Sequence, residues 1–180
     1  MTFFQYIYYL KPWAQILLCV AGWTVWTVVM ILLHRYKSIR IGAALLGLAL
    51  SIVLILYQTV LARNGGVRSL ILRPFAILAK AREEDEYYRS MVLNAILFVP
   101  LGLSLSVLLS QKLTPGKCVA LTVLIGLLIS AGLETLQYAF ALGKTETDDV
   151  IMNTFGTFFG AAHIWVTAFA QRRLCTRESG

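Results

Sequence analysis

Hydrophobic residues occur along this chain in long runs that polar turns separate. Residues 13–33 and 41–62 contain no charged side chain, and each run can cross roughly 30 Å of hydrocarbon at about 1.5 Å per residue. Three further, mainly apolar runs cover about residues 91–110, 118–142 and 149–170. The pattern predicts an all-α, polytopic integral membrane protein with about five transmembrane helices, folded as a single domain over residues 1–180.

The stretch between the second and third runs, residues 63–90, has a different character. Its apolar parts are too short to cross a bilayer, so we expect a loop with an interfacial or re-entrant piece around residues 70–79. Pro74 disfavours helix at Arg73, and residues 80–89 have the mixed charges of a short polar helix.

Polar residues enter the last two predicted spans. Glu134 and Gln137 are three positions apart and share a helix face, and Tyr138 lies one turn from Glu134. Asp149 and Asn153 are four apart on the final helix. An ionisable residue in an apolar span costs several kcal/mol unless it faces protein or water, so Glu134 is a functional-site candidate. The alternative is that these groups only join helices by hydrogen bonds.

The direction of successive spans brings several of these groups to one side. The start of the third span, the end of the fourth and the start of the fifth lie at the same membrane face, which the polar loop shares. Asn94 and Asn153 are then about 5 Å inside their helices, and Glu134 is about 12 Å from the end of its own. We therefore predict a shared polar site in one leaflet, beneath the loop.

Composition agrees with a membrane protein and limits the partners. The chain is 58% hydrophobic, with a mean hydropathy of +0.74 and 14% charged residues, whereas soluble domains carry about 25% charged residues. The net charge of +7 comes from cations that flank apolar runs, as in membrane anchoring, so membrane lipids and not nucleic acid are the expected contacts. The three cysteines and two histidines lack metal-ligand spacing, and we predict neither a metal site nor a cofactor.

The number of cations on each membrane face does not decide the orientation of the protein. Five spans would place eight cations on each face, so the positive-inside rule gives no decision by count. The short turns on the carboxyl-terminal face are all basic, whereas the cations of the long loop alternate with acidic residues. We therefore expect a cytoplasmic carboxyl terminus and a polar site that faces outward.

The motifs together resemble the VanZ-like family of bacterial membrane proteins. The resemblance covers about residues 70–160 and rests on NAILFVPLG, on ETLQYAFALG and on TDDVIMNTFGTFFG. The matching positions are Asn94, Phe98, Pro100, Gly102, Glu134, Gln137, Asp149, Asn153, Gly156 and Gly160. The Arg73-Pro74-Phe75 stretch is similar to a shorter upstream element. Lys144 stands where many relatives carry arginine, which removes a planar two-pronged donor.

The resemblance implies a protein of the bacterial cytoplasmic membrane that lowers susceptibility to teicoplanin-type lipoglycopeptides at the cell surface. The ligand would be a lipid-linked cell-wall precursor or the antibiotic itself. The alternative is an intramembrane enzyme acting on a lipid-linked or polyprenyl substrate, with Glu134 as general acid or base. The candidate catalytic residues are then Glu134, Gln137 and Asp149, and the candidate substrate-binding residues are Asn94, Asn153, Tyr138, Lys144 and Arg73.

Overall fold

The computed structural model describes residues 9–63, 66, 68–75 and 84–178, with side chains up to residue 173. Within these residues the chain is mainly helical and contains one small sheet. The helices are α1 (Pro12–Leu32), α2 (Lys37–Leu56), α3 (Asp85–Leu109), α4 (Pro115–Ala139), α5 (Thr147–Ala161) and α6 (His163–Glu178). The strands are β1 (Arg68–Ile71) and β2 (Gly143–Glu146).

The first four helices are long and apolar enough to cross a membrane. A 3₁₀ turn, Leu33–Arg35, extends α1, and a π-helical turn, Tyr57–Leu61, extends α2. Proline occupies the first turn of α1 and of α4, where its missing N–H and fixed φ cost the helix nothing. The prediction of a polytopic helical membrane protein is confirmed by these four helices.

The predicted fifth span is divided. Helix α5 has 15 residues and α6 has 16, and they meet at Ala162. Each alone is shorter than the roughly 20 residues that a crossing needs. The two together cover the predicted run and extend beyond it toward the carboxyl terminus.

The loop between α2 and α3 contributes a strand that the hydrophobic pattern does not predict. Strand β1 pairs in parallel with β2, with Ser69 opposite Lys144 and Leu70 opposite Thr145. This pairing confirms that the two polar loops lie at the same end of the molecule. Residues 76–83, which hold much of the predicted interfacial piece, are outside the described residues, and residues 85–89 form the first turns of α3 and not a separate helix.

Small residues bring α3 and α5 into backbone contact. A Cβ on Gly156 would collide with the carbonyl of Ala95, and one on Gly160 would collide with that of Val99. From the other side, Gly102 lies against the carbonyl of Thr157. Gly156 and Gly160 form a G-x-x-x-G, and this spacing puts both glycines on the helix face that meets α3.

Candidate functional site

Glu134 joins α4 to the chain that leads into α5. Its side chain is 6% exposed, and its Oε2 accepts a hydrogen bond from the backbone N–H of Glu146 at 3.1 Å. The Thr145 hydroxyl donates in turn to the backbone carbonyl of Glu134 at 3.3 Å. The carboxylate therefore holds the end of β2 and the start of α5 against α4.

Asp149 and its neighbour Asp148 face two different segments. The Asn94 amide of α3 donates to Asp149 Oδ1, which joins the predicted third-span residue to the predicted fifth-span residue. Asp148 is 3% exposed, and its Oδ1 accepts from the backbone N–H of Phe75 in the loop after β1. The start of α5 is thus tied both to α3 and to the loop above it.

The two remaining amides have one partner each and one oxygen without a partner. Gln137 donates to the backbone carbonyl of Thr59 at 3.0 Å, a residue of the π-helical turn, where the helix ends and leaves carbonyls unpaired. Asn153 donates to the Ser130 hydroxyl at 2.9 Å. The side-chain oxygens of both amides are buried and accept no hydrogen bond within the described residues.

Charge concentrates between the end of α2 and the start of α5. The Glu134 and Asp149 carboxylates interact electrostatically with each other, and the Arg63 guanidinium acts on both. Gly143 leaves the space that Arg63 uses, because a Cβ there would lie 3.2 Å from a guanidinium nitrogen. Gly143 also has a φ of 131°, which side-chain-bearing residues rarely adopt. We call the group of Glu134, Asp149, Asn94, Gln137, Asn153 and Arg63 the polar layer.

Three of the predicted substrate-binding residues lie outside the polar layer. Tyr138 is 40% exposed, and the guanidinium carbon of Arg68 lies 5.5 Å from the centroid of its ring. The same guanidinium donates to the backbone carbonyl of Ala139 at 3.1 Å. Lys144 is exposed on β2 and Arg73 is exposed after β1. These three side chains lie around the loop edge and not among the buried groups.

Sequence reasoning missed Arg63, Thr145 and Ser130. In the sequence, Arg63 is one of six cations in residues 63–90, and only the path of the chain after α2 distinguishes it from the other five. Ser130 carried a signal, since it lies one turn before Glu134 on the same helix face.

The polar layer is a hydrogen-bonded contact between helices and not a large open cavity. In the described part of the chain, no group of three or more His, Cys, Asp or Glu side chains has the arrangement of a metal site. A cavity of about 310 Å³ lies between the loop, α3 and α5 and is lined by Phe75, Met91, Asp148, Ile151, Met152 and Phe155. Asp148 brings this mainly apolar space next to the polar layer.

These features define a class: a multi-pass helical membrane protein with a buried polar layer near one end of its bundle. The family model described as VanZ/LLP1 matches residues 43–169, which is well over half of the chain. The chain therefore belongs to the VanZ/LLP1 family, and the match includes all the polar layer.

One relative and the solved structures complete the comparison. The chain is 36% identical over 104 residues to "Protein VanZ" of Enterococcus faecium, a match that covers 58% of this chain and 57% of that protein. The matched region thus spans little more than half of the relative's length. No solved structure matches the chain.

Proposed function

We propose that this protein lowers bacterial susceptibility to teicoplanin-type lipoglycopeptides and that the polar layer is the part that acts. The family supports the class of function. The single observation that carries the role of the layer is the burial of Glu134 and Gln137, at 6% and 1% exposure, within α4, a helix whose exposed surface is mainly apolar. Buried charge and amide groups in membrane helices cost free energy, and are expected where they bind or transfer something polar.

The proposal includes a fifth crossing and an orientation. Helices α5 and α6 would together make this crossing, because their 31 residues follow each other with one residue between them. The polar layer would then face outward from the bacterial cytoplasmic membrane, where lipid-linked cell-wall precursors present their head groups. Support comes from the basic turns at the opposite end, which contain Arg35, Lys37, Lys112 and Lys117.

The chemistry of the polar layer suits recognition of a polar head group. Arg63 supplies donors for a phosphate or carboxylate, and the unpartnered oxygens of Gln137 and Asn153 accept from hydroxyl or amide groups. The apolar cavity beside Asp148 is wide enough for part of a hydrocarbon chain. A lipid-linked precursor or a lipoglycopeptide combines both chemistries, so we propose that one of them is the ligand.

Expression in a susceptible strain tests this function. We expect a rise in the inhibitory concentration of teicoplanin larger than that for vancomycin, with membrane insertion verified by immunoblot. The matched variant Glu134→Gln should remove most of the rise, whereas Thr135→Val, on the exposed side of the same helix turn, should keep it. An unchanged response to teicoplanin at equal protein level would refute the proposal.

A second candidate is an intramembrane enzyme acting on a lipid-linked or polyprenyl substrate. The mutual interaction of Glu134 and Asp149 favours it, because two carboxylates in one buried environment can hold and transfer a proton. Purified protein incubated with lipid extract should then change the mass spectrum of the lipids, and Glu134→Gln should not. A lipid spectrum that the wild-type protein leaves unchanged would exclude the enzyme while leaving the binding function intact.

A further inference from the structure

A second cavity, whose lining is partly polar, lies at the end of the molecule away from Glu134. It encloses about 130 Å³ where the end of α3 and the start of α4 meet the start of α2 and the side of α6. Its polar lining consists of Arg40, Ser110, His163, Thr167 and Gln171. None of these residues belongs to the polar layer, so this cavity is separate from the proposed function.

His163 is one of the residues that line this cavity. Its side chain is fully buried, at 0% exposure, and its Nδ1 lies 2.9 Å from the backbone carbonyl of Gly160. A carbonyl can only accept, so Nδ1 carries the proton, and the Nε2 of the neutral ring bears a lone pair. That Nε2 is buried and has no hydrogen-bond partner within the described residues. A buried polar atom of this kind costs free energy unless something occupies the cavity.

The other side chains complete a set of donors and acceptors. The Ser110 hydroxyl already donates to the carbonyl of Val107 at 2.7 Å, and that of Thr167 to Ile164 at 3.0 Å, so both oxygens can only accept from an occupant. The Nε of Arg40 is buried and has no acceptor in the described part of the chain. An occupant that satisfies these groups must accept a hydrogen bond from Arg40, whose charge favours an anion, and must donate at least one O–H to the acceptors.

Long-range charge also favours an anion at this end. Seven basic residues belong to the turns and helix ends at this end of the molecule, and Arg40 alone among them lines the cavity: Arg35, Lys37, Arg40, Lys112, Lys117, Arg172 and Arg173. The carboxylates whose side chains the structure describes belong to Glu84 and the first turn of α3, to the last turns of α4, and to the chain that follows α4. A field of one sign concentrates ions of the opposite sign.

We propose that this cavity binds a phosphate group that carries a P–O–H, with Arg40 contacting a charged oxygen and His163 Nε2 accepting from the P–O–H. The cavity volume of about 130 Å³ is roughly ten times what one water needs, which leaves room for a phosphate group. Two sources share this chemistry: inorganic phosphate and the phosphomonoester head group of a lipid such as phosphatidic acid.

The test uses the full chain in nanodiscs of phosphatidylcholine, in mildly acidic buffer, where inorganic phosphate is mainly H2PO4− and a phosphomonoester is mainly singly protonated, so that both carry a P–O–H. Inorganic phosphate should raise the unfolding temperature, and calorimetric titration should give its affinity. Sulfate at equal ionic strength, which carries no proton, should bind at least about tenfold more weakly. Equal effects of phosphate and sulfate, or no effect of phosphate, would overturn the proposal.

Substitutions locate the site. Arg40→Met should weaken phosphate binding about tenfold or more, since a charge-assisted hydrogen bond is lost. Arg173→Met is the matched control, because the Arg173 guanidinium lies over the Phe169 ring at 4.6 Å and does not line the cavity. If Arg40→Met does not fold, Arg40→Lys keeps the charge without the Nε donor and should still bind more weakly. Equal losses for Arg40 and Arg173 variants would contradict the site.

Nanodisc composition then distinguishes the two sources. Phosphatidic acid should compete with inorganic phosphate if a lipid head group is the occupant, whereas phosphatidylglycerol, a diester without a P–O–H, should not. Absence of competition by phosphatidic acid, with phosphate still bound, assigns the cavity to free phosphate.

Discussion

Glu134 is the residue on which the proposed site depends most directly. Its Oε2 accepts from the Glu146 N–H, and its charge acts on Asp149 and responds to Arg63. Structural and functional roles can therefore be separated by substitutions that keep or remove the acceptor oxygen.

Glu134→Gln keeps an acceptor oxygen and removes the charge, whereas Glu134→Ala removes both. We expect Glu134→Gln to unfold at nearly the wild-type temperature in detergent but to lose most of the teicoplanin resistance. Glu134→Ala should also lose stability, by about 1–3 kcal/mol, because the Glu146 N–H remains buried without an acceptor. Thermal unfolding and inhibitory concentrations measure the two effects, and full resistance in both variants at equal expression would show that the site is assigned wrongly.

Arg63 makes a second prediction at this scale, since it acts on two carboxylates. Arg63→Met should reduce resistance severalfold. Arg63→Lys should reduce resistance less, because the charge is kept, but it should still reduce it, because the planar donor is lost. Lys11→Met, an exposed cation before α1, serves as control. Equal resistance for Arg63→Met and Lys11→Met would remove Arg63 from the polar layer.

At the scale of elements, the contact between α3 and α5 fixes where the polar groups meet. Gly102, Gly156 and Gly160 let the two backbones approach closely, and this approach brings Asn94 to Asp149. The sheet of β1 and β2 adds a second connection from the loop. The position of the polar layer thus results from close helix packing and not from the polar groups alone.

Gly156→Leu should disrupt this packing, because any Cβ there collides with the backbone of Ala95. Overpacking of this kind costs about 1–3 kcal/mol or more, so the yield of folded protein and its unfolding temperature should fall. Gly132→Leu in α4 is the control, since a Cβ there has no atom within 4 Å among the described residues. Similar yields for the two variants would indicate that α3 and α5 do not pack in this way.

At the scale of the whole molecule, the two ends of the bundle differ in chemistry. One end carries the polar layer with its carboxylates, and the other carries basic turns and the second cavity. Orientation in the membrane therefore decides which compartment each site meets, and a role against an extracellular antibiotic requires the polar layer outside.

Single cysteines placed at Lys144 and at Arg73, in a chain without its own cysteines, test this orientation. Both positions are exposed, and the pairing of β1 with β2 places them at one end, so an impermeant maleimide should label both from outside the cell. A cysteine at Lys112, in the turn between α3 and α4, should react only after permeabilisation. Labelling of Lys112→Cys alone in intact cells would place the polar layer in the cytoplasm and contradict the cell-surface role.

The sequence by itself determined the helical membrane class, the four long helices and the end of the molecule at which Asn94, Glu134 and Asn153 lie. The reason is physical. The length of a hydrophobic run can be compared directly with the thickness of a bilayer, and because successive spans alternate in direction, the side on which each span begins follows without any knowledge of packing. Only the tertiary structure decided which groups touch. The hydrogen-bond partners of Gln137 and Asp149 are 78 and 55 positions away along the chain. Contacts between distant segments also decide the approach of Arg63 to the carboxylates, the pairing of the two four-residue strands and the break at Ala162.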